Sequence, residues 1–141
     1  ARAMARQVDM GVPGAVIELG AGTGVVTHAL LEAGIPREKL LVIEREPRLH
    51  SVLARQYPDV AILCADAMKL DEVLATRGIT QVSAIVSSLP LLSMPRGVRR
   101  GIVEQMARAI GGTGCIVQFT YGPKSPIGQY SLKHCGLEGH K

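Results

Sequence analysis

A short glycine-rich loop constrains this chain more than any other feature of its sequence. The run Glu18-Leu19-Gly20-Ala21-Gly22-Thr23-Gly24 follows an apolar strand and opens an amphipathic helix. Glycine lets the backbone turn tightly and lets a ligand lie against bare main chain. The spacing is GxGxG, without the third glycine of a dinucleotide fingerprint, and the absence of Gly-Lys-Ser/Thr excludes a P-loop. The loop therefore favours a ligand less anionic than a pyrophosphate, the alternative being a plain tight turn.

Acidic residues lie at the ends of the first three predicted strands. Glu18 precedes the loop and can orient it or face a cationic part of the ligand. Glu44 ends the second strand and can accept hydrogen bonds from both ribose hydroxyls of an adenosine. Asp66 ends the third strand and can accept from an adenine amino group or cap the following helix. Together these positions predict a site for an adenosine-containing ligand.

Short β-rich runs alternate with amphipathic helices along the chain. Strands are predicted at 15–19, 40–43, 60–64, 82–86 and 114–121, and one weak helix is predicted after Lys124. This alternation predicts an α/β fold with a Rossmann-like, doubly wound, mostly parallel sheet that binds its ligand at the carboxyl edge. The 141 residues fit one domain, 1–141. We expect this domain to be cut short at both ends and to lack the last C-terminal strands of its fold.

Charge and residue usage narrow the choice of partner. The formal net charge of +4 favours an anionic partner, either nucleic acid or an acidic membrane surface, and aromatic platforms for bases are scarce at 3%. Cys64, Cys115 and Cys135 have no metal-ligand spacing, so no metal site is predicted and reduced structural cysteines are expected. Without a signal peptide or a membrane-spanning run, the chain is expected to be cytoplasmic.

The order of these motifs resembles that of class I S-adenosylmethionine-dependent methyltransferases. The resemblance spans residues 15 to about 121 and rests on Glu-x-Gly-x-Gly-x-Gly, then Glu44, then Asp66-Ala67. It implies S-adenosylmethionine as the cofactor and S-adenosylhomocysteine as the product. The glycine loop would then lie along the methionine part of the cofactor. Glu44 would contact the ribose, and Asp66 with Ala67 would contact the adenine. The cofactor-binding residues so implied are Glu18, Gly20, Ala21, Gly22, Thr23, Gly24, Glu44, Arg45, Asp66 and Ala67.

In methyltransferases of this family, the segment after the fourth strand faces the methyl donor, so its residues bear on which substrate accepts the methyl group. The adenine dimethyltransferases of ribosomal RNA, which the chain also resembles, carry Asn-Leu-Pro-Tyr there, where Asn accepts from the amine and the ring stacks on the base. This chain has Ser88-Leu89-Pro90-Leu91, which lacks both groups and better suits an aliphatic substrate. The candidate catalytic residues are Ser87, Leu89, Pro90 and, at the end of the fifth strand, Tyr121.

This segment, with Phe-Thr-Tyr-Gly-Pro at 119–123, is similar to bacterial phospholipid N-methyltransferases of the rhizobial type. The similarity implies methylation of phosphatidylethanolamine and its methylated forms toward phosphatidylcholine, at an anionic membrane surface and with peripheral attachment. Tyr121 can face the methylated ammonium by cation–π attraction or lie at the sheet margin. Arg96, Arg99 and Arg100 can hold a lipid phosphate or form a solvated helix face. An RNA methyltransferase and a non-enzymatic cofactor-binding module remain the alternatives.

Overall fold

The computed structural model describes residues 1–120 and 130–135, the side chains of Thr120 and of 130–135 excepted. The elements follow one another as predicted up to the fifth strand. The strands are β1 Ala15–Leu19, β2 Leu40–Ile43, β3 Ala61–Leu63, β4 Val82–Ser87, β5 Cys115–Thr120 and β6 Tyr130–Cys135. The helices are α1 Arg2–Arg6, α2 Val25–Glu32, α3 Pro47–Gln56, α4 Leu70–Thr76 and α5 Arg96–Ile110.

All six strands form one sheet in the order β3-β2-β1-β4-β5-β6. The first five strands are parallel to one another, and β6 pairs antiparallel with β5. The chain proceeds outward from β1 through β2 to β3 and then returns to add β4 on the other side of β1. Strand order therefore reverses between β1 and β4, and the carboxyl ends of these two strands mark the position where such sheets bind ligands.

Helices cover both faces of the sheet, as the near-continuous apolar strands require. Residues of α1, α2 and α3 pack against one face, and residues of α4 and α5 pack against the other. The helix α5 buries Ile102, Met106 and Ile110 at four-residue spacing, so a single stripe faces the sheet. The α/β, doubly wound, mostly parallel architecture predicted from the sequence is confirmed. No helix in the described part of the chain is long and apolar enough to cross a bilayer.

The end of the chain differs from the prediction. The sequence predicts a weak helix after Lys124, whereas residues 130–135 form β6 along β5, so one strand does follow the fifth. The pairing places Cys135 opposite Cys115. Cys115 is disulfide-bonded and Cys64 is a free, exposed thiol. The expectation of reduced structural cysteines is therefore wrong for Cys115, and Cys64 lies just after β3 although the predicted strand 60–64 included it.

Candidate functional site

One cavity lies at the carboxyl ends of the parallel strands, on the side of α5. It has a volume of about 190 Å³ and is smaller than the roughly 300–1,000 Å³ of sites that enclose a whole drug-sized ligand. Three strand ends meet there, because Gly20, Glu44 and Asp66 all contribute to its wall. Predicted residues Arg45, Ala67 and Leu89 lie beside them, and the apolar side is closed by Met68, Met94, Val98 and Ile102. Of the three acids predicted from the sequence, Glu44 and Asp66 thus face a common cleft, whereas Glu18 does not line it.

Glu44 ties the glycine loop to the end of β2. Its Oε1 accepts a 2.8 Å hydrogen bond from the Gly22 amide, and its Oε2 accepts a 2.9 Å bond from the Glu46 amide. The residue is only 6% exposed, yet each carboxylate oxygen retains a second lone pair. Two backbone donors therefore hold the carboxylate in place while it still has acceptor capacity at the cavity wall.

Glu18 lies beneath the loop and is completely buried. Its Oε1 accepts a 2.6 Å hydrogen bond from the Thr27 hydroxyl of α2, whereas Oε2 has no hydrogen-bond partner among the described residues. Burial raises the pKa of Glu18 from 4.5 to about 7; the Thr27 bond opposes this rise and the charge of Glu44 adds to it. A cation at Oε2 would replace the lost solvation and restore the ionised form.

Gly20 brings the loop close to the segment after β4. Its φ of +74° lies in the left-handed region, and its amide donates to the Ile43 carbonyl at 3.0 Å. An added Cβ would lie 2.7 Å from Cδ2 of Leu89. At Gly22, by contrast, φ is +57° and the space around a Cβ is open. The loop thus presents bare backbone at Gly22 and is tightly packed at Gly20.

Replacing Gly20 with alanine is expected to destabilise the fold by about 1–2 kcal/mol for the left-handed backbone and by a further amount for displacing Leu89. Gly78→Ala is the matched control because Gly78 has a φ of +68° and a Cβ added there would meet no atom within 4 Å. Urea unfolding of both variants separates the two contributions. Equal losses of unfolding free energy would show that contact with Leu89 does not constrain Gly20.

Asp66 caps the short turn that follows β3. Its Oδ1 accepts a 2.9 Å hydrogen bond from the Met68 amide. The capping alternative considered for this residue is therefore present in the structure, and its position in the cavity wall is present as well. One carboxylate oxygen caps the turn, which fixes the orientation of the side chain beside Ala67.

The segment after β4 is held in place by polar groups on both sides. Ser87 is fully buried, and its Oγ accepts a 3.3 Å bond from the Leu89 amide, so its side chain supports the segment from inside. The Ser88 amide donates to the Leu19 carbonyl at 3.0 Å. The Gln118 amide nitrogen donates to the Leu89 carbonyl at 2.9 Å. Pro90 is exposed at the surface.

Two residues that support the site were not predicted from the sequence, and one predicted residue lies outside the described part of the chain. Thr27 directly follows the apolar pair Val25-Val26 in α2, and Gln118 lies between Val117 and Phe119 in β5; a polar residue within an apolar run is the signal that could have identified them. Ala21 is buried and Thr23 is exposed, and neither contributes to the wall of the cavity described above. Tyr121 lies outside the described residues.

Sequence comparison relates the chain to two groups of methyltransferases. No family model matches the sequence. An ornithine lipid N-methyltransferase of Singulisphaera acidiphila is 31% identical over 111 residues, which cover 77% of this chain and 58% of that protein. Ribosomal RNA small subunit methyltransferase A of Phenylobacterium zucineum is 33% identical over 92 residues, covering 63% of this chain and 30% of that protein. The chain thus spans less than two thirds of either relative.

Solved structures show the same fold. The glycopeptide N-methyltransferase MtfA in complex with S-adenosyl-L-methionine superposes with a TM-score of 0.69 at 17% identity, covering 96% of this chain and 64% of MtfA. The CcbJ methyltransferase from Streptomyces caelestis gives 0.68 at 18% identity, with coverage of 86% and 48%. These comparisons confirm the resemblance to class I methyltransferases, and the cofactor predicted from the sequence is the one bound in MtfA. The lipid relative acts on an ornithine lipid, so the finer resemblance to phospholipid enzymes stays a prediction.

Proposed function

We propose that this chain, which has the fold of class I S-adenosylmethionine-dependent methyltransferases and is related to them in sequence, methylates the amino group of a membrane lipid. The observation that carries the proposal is the convergence of Gly20, Glu44 and Asp66 on one cavity at the reversal of strand order. Such a wall offers bare backbone at Gly20 and two carboxylates, and Arg45 is its only arginine or lysine. It therefore suits an adenosine whose other half is an amino acid.

Several of the predicted cofactor-binding residues have a proposed partner. Glu44 would accept from the ribose hydroxyls with the lone pairs that Gly22 and Glu46 leave free. Asp66 and Ala67 would hold the adenine, and the open backbone at Gly22 would lie against the methionine part. The unpartnered Oε2 of Glu18 would balance the cationic amino group. Arg45, which is exposed at the wall, would border the ribose from the solvent side.

The chemistry needs alignment more than acid–base assistance. When bound, S-adenosylmethionine supplies a methyl group activated by a sulfonium. The chain would hold an amine in line with that group, and such alignment is worth up to roughly 7–11 kcal/mol. The Leu89–Pro90 segment, fixed through Ser87 and Gln118, would form the surface against which the amine rests.

The surroundings of that segment support a lipid as the methyl acceptor. Leu92 is 72% exposed at its tip. Arg96, Arg99 and Arg100 follow at the start of α5 and line a shallow surface depression together with the exposed Val103 and Glu104. An apolar tip beside clustered arginines is what an anionic membrane surface attracts. Phosphatidylethanolamine and its methylated forms are the proposed substrates, with peripheral membrane attachment.

Methyl transfer from labelled S-adenosylmethionine to vesicles tests the proposal. Anionic vesicles that contain phosphatidylethanolamine are expected to become labelled, whereas vesicles of phosphatidylcholine and phosphatidylglycerol are not. Vesicles with ornithine lipid form a parallel arm, because the lipid relative acts on that substrate. Label in the ornithine lipid alone would change the proposed head group, and the absence of label in both amine lipids would contradict the lipid assignment.

RNA is the second candidate substrate, and the net charge of +4 together with the relationship to a ribosomal RNA methyltransferase favours it. It predicts binding of RNA that weakens steeply with salt, and labelling of ribosomal RNA in the same assay. A non-enzymatic module that has lost the cofactor is the third candidate. Calorimetry with S-adenosylhomocysteine identifies that case, because no heat of binding would be measured.

A further inference from the structure

We infer that the side-chain carbonyl of Gln118 accepts a hydrogen bond from the amine that is methylated, and so positions its lone pair. The inference rests on the proposed function, since it concerns how the amine is held. Gln118 lies near the carboxyl end of β5, directly opposite Ser87 at the end of β4. It is therefore beside the segment that borders the proposed methyl-acceptor site.

The orientation of the Gln118 amide is determined by its neighbours. Its Nε2 donates to the Leu89 carbonyl at 2.9 Å and to the Phe119 carbonyl at 2.8 Å. Both neighbours are acceptors only, so the nitrogen must be the atom that faces them, and both of its hydrogens are used. The carbonyl oxygen Oε1 is thereby fixed on the other side of the amide.

Oε1 is a buried acceptor without a donor among the described residues. Folding leaves such atoms unpaired only rarely, because the lost hydration is not compensated. The hydroxyl of Ser88, at the neighbouring strand end, is likewise buried and unpartnered in the described part of the chain. Two unsatisfied polar atoms thus belong to adjacent strand ends, next to the apolar Leu89–Pro90 segment.

A reacting amine can supply the missing donor. A neutral primary amine has two N–H bonds and one lone pair, so an N–H bound to Oε1 directs the lone pair elsewhere, and the Ser88 hydroxyl can take the second N–H. In the reaction the nitrogen lone pair forms the new N–C bond, the S–C bond breaks with its electron pair left on sulfur, and a proton leaves the product ammonium to water. Gln118 holds the amine through this step without itself changing protonation.

The number of N–H bonds on the substrate provides the test. Neutral phosphatidylethanolamine carries two, its monomethyl form one and its dimethyl form none. Gln118→Met removes the acceptor and is expected to lower kcat/KM about tenfold for the first two lipids while leaving the dimethyl lipid within about threefold. Gln118→Asn, whose side chain is shorter by one methylene, should reduce kcat/KM for the same two lipids, but by smaller factors. Gln81→Met, an exposed site before β4, is the matched control and should change nothing.

The outcomes separate this inference from the function beneath it. Binding of S-adenosylhomocysteine by each variant verifies that it is folded, and Gln118→Asn replaces Gln118→Met should the latter fail to bind. Equal losses on all three lipids would mean that Gln118 only anchors the Leu89 carbonyl, and would overturn the inference alone. Failure of the unmodified chain to methylate any of the three lipids would instead overturn the proposed function, and the inference with it.

Discussion

Replacing Glu18 with glutamine is expected to stabilise the unliganded protein at pH 8 and, in the same variant, to weaken cofactor binding. The unfolded chain releases the Glu18 proton near pH 4.5, whereas the folded protein retains it up to about pH 7 because the carboxyl is buried. Between these pH values the folded state binds more protons, so the free energy of unfolding falls as the pH rises. The loss is complete above about pH 7 and amounts to roughly 3 kcal/mol.

Urea unfolding at pH 4 and pH 8 measures this effect as a difference between the two proteins. Glutamine carries no charge at either pH, so Glu18→Gln should gain about 3 kcal/mol over the unmodified protein between pH 4 and pH 8. The exposed Glu38 provides the control substitution, Glu38→Gln, for which no such difference is expected. If the free energies of unfolding of Glu18→Gln and the unmodified protein differ by the same amount at both pH values, burial does not raise the pKa of Glu18.

Cofactor binding should respond to Glu18→Gln in the opposite direction. The ionised carboxylate would pair with the cationic amino group through Oε2, and a charge-assisted bond of this kind is worth about 1.5–3 kcal/mol. The affinity of the unmodified protein for S-adenosylhomocysteine is thus expected to rise as the pH increases through about 7. In Glu18→Gln the affinity for S-adenosylhomocysteine should be roughly ten- to a hundredfold lower than that of the unmodified protein at pH 8. The rise of affinity with pH that comes from the Glu18 ionisation should be absent from the variant. Calorimetry at pH 6 and pH 8 gives both quantities.

The sequence predicted those parts of the site that depend on local pattern and on parallel pairing. The bounds of β1 and β2 are as predicted, because each is a short apolar run between clear turn residues. Once parallel strands are inferred, the positions of Glu44 and Asp66 follow, since their carboxyl ends share one edge. The common cavity is a consequence of this topology rather than of any single motif.

Other features depend on contacts between distant parts of the chain. The strand β6 was missed because its pairing with β5 is decided by the sheet edge, and the local sequence after Lys124 has no clear alternation. The strand propensity of such a segment is set by its context. The deep burial of Ser87 and the anchoring of Leu89 by Gln118 also arise from neighbouring strands. Periodicity within one element cannot indicate which polar side chain reaches the next.

Glu44→Gln is expected to cause the largest loss of cofactor affinity, about a hundredfold or roughly 3 kcal/mol. Both carboxylate oxygens accept backbone hydrogen bonds, from Gly22 and from Glu46, and glutamine would turn an N–H toward one of these donors. The loop would lose one tether, and a ribose bound as proposed would lose one of its two acceptors. Glu44→Asp keeps both oxygens but shortens their reach, so an intermediate loss is expected, while Glu38→Gln again provides the control.

Calorimetry with S-adenosylhomocysteine measures the affinities of these variants, and circular dichroism establishes that each remains folded before they are compared. The order of affinity should be the unmodified chain, then Glu44→Asp, then Glu44→Gln. An affinity of folded Glu44→Gln within threefold of the unmodified chain would mean that Glu44 serves only to tether Gly22 and Glu46. The ribose hydroxyls would then have to donate elsewhere, because the amide offers them one acceptor oxygen where the carboxylate offers two.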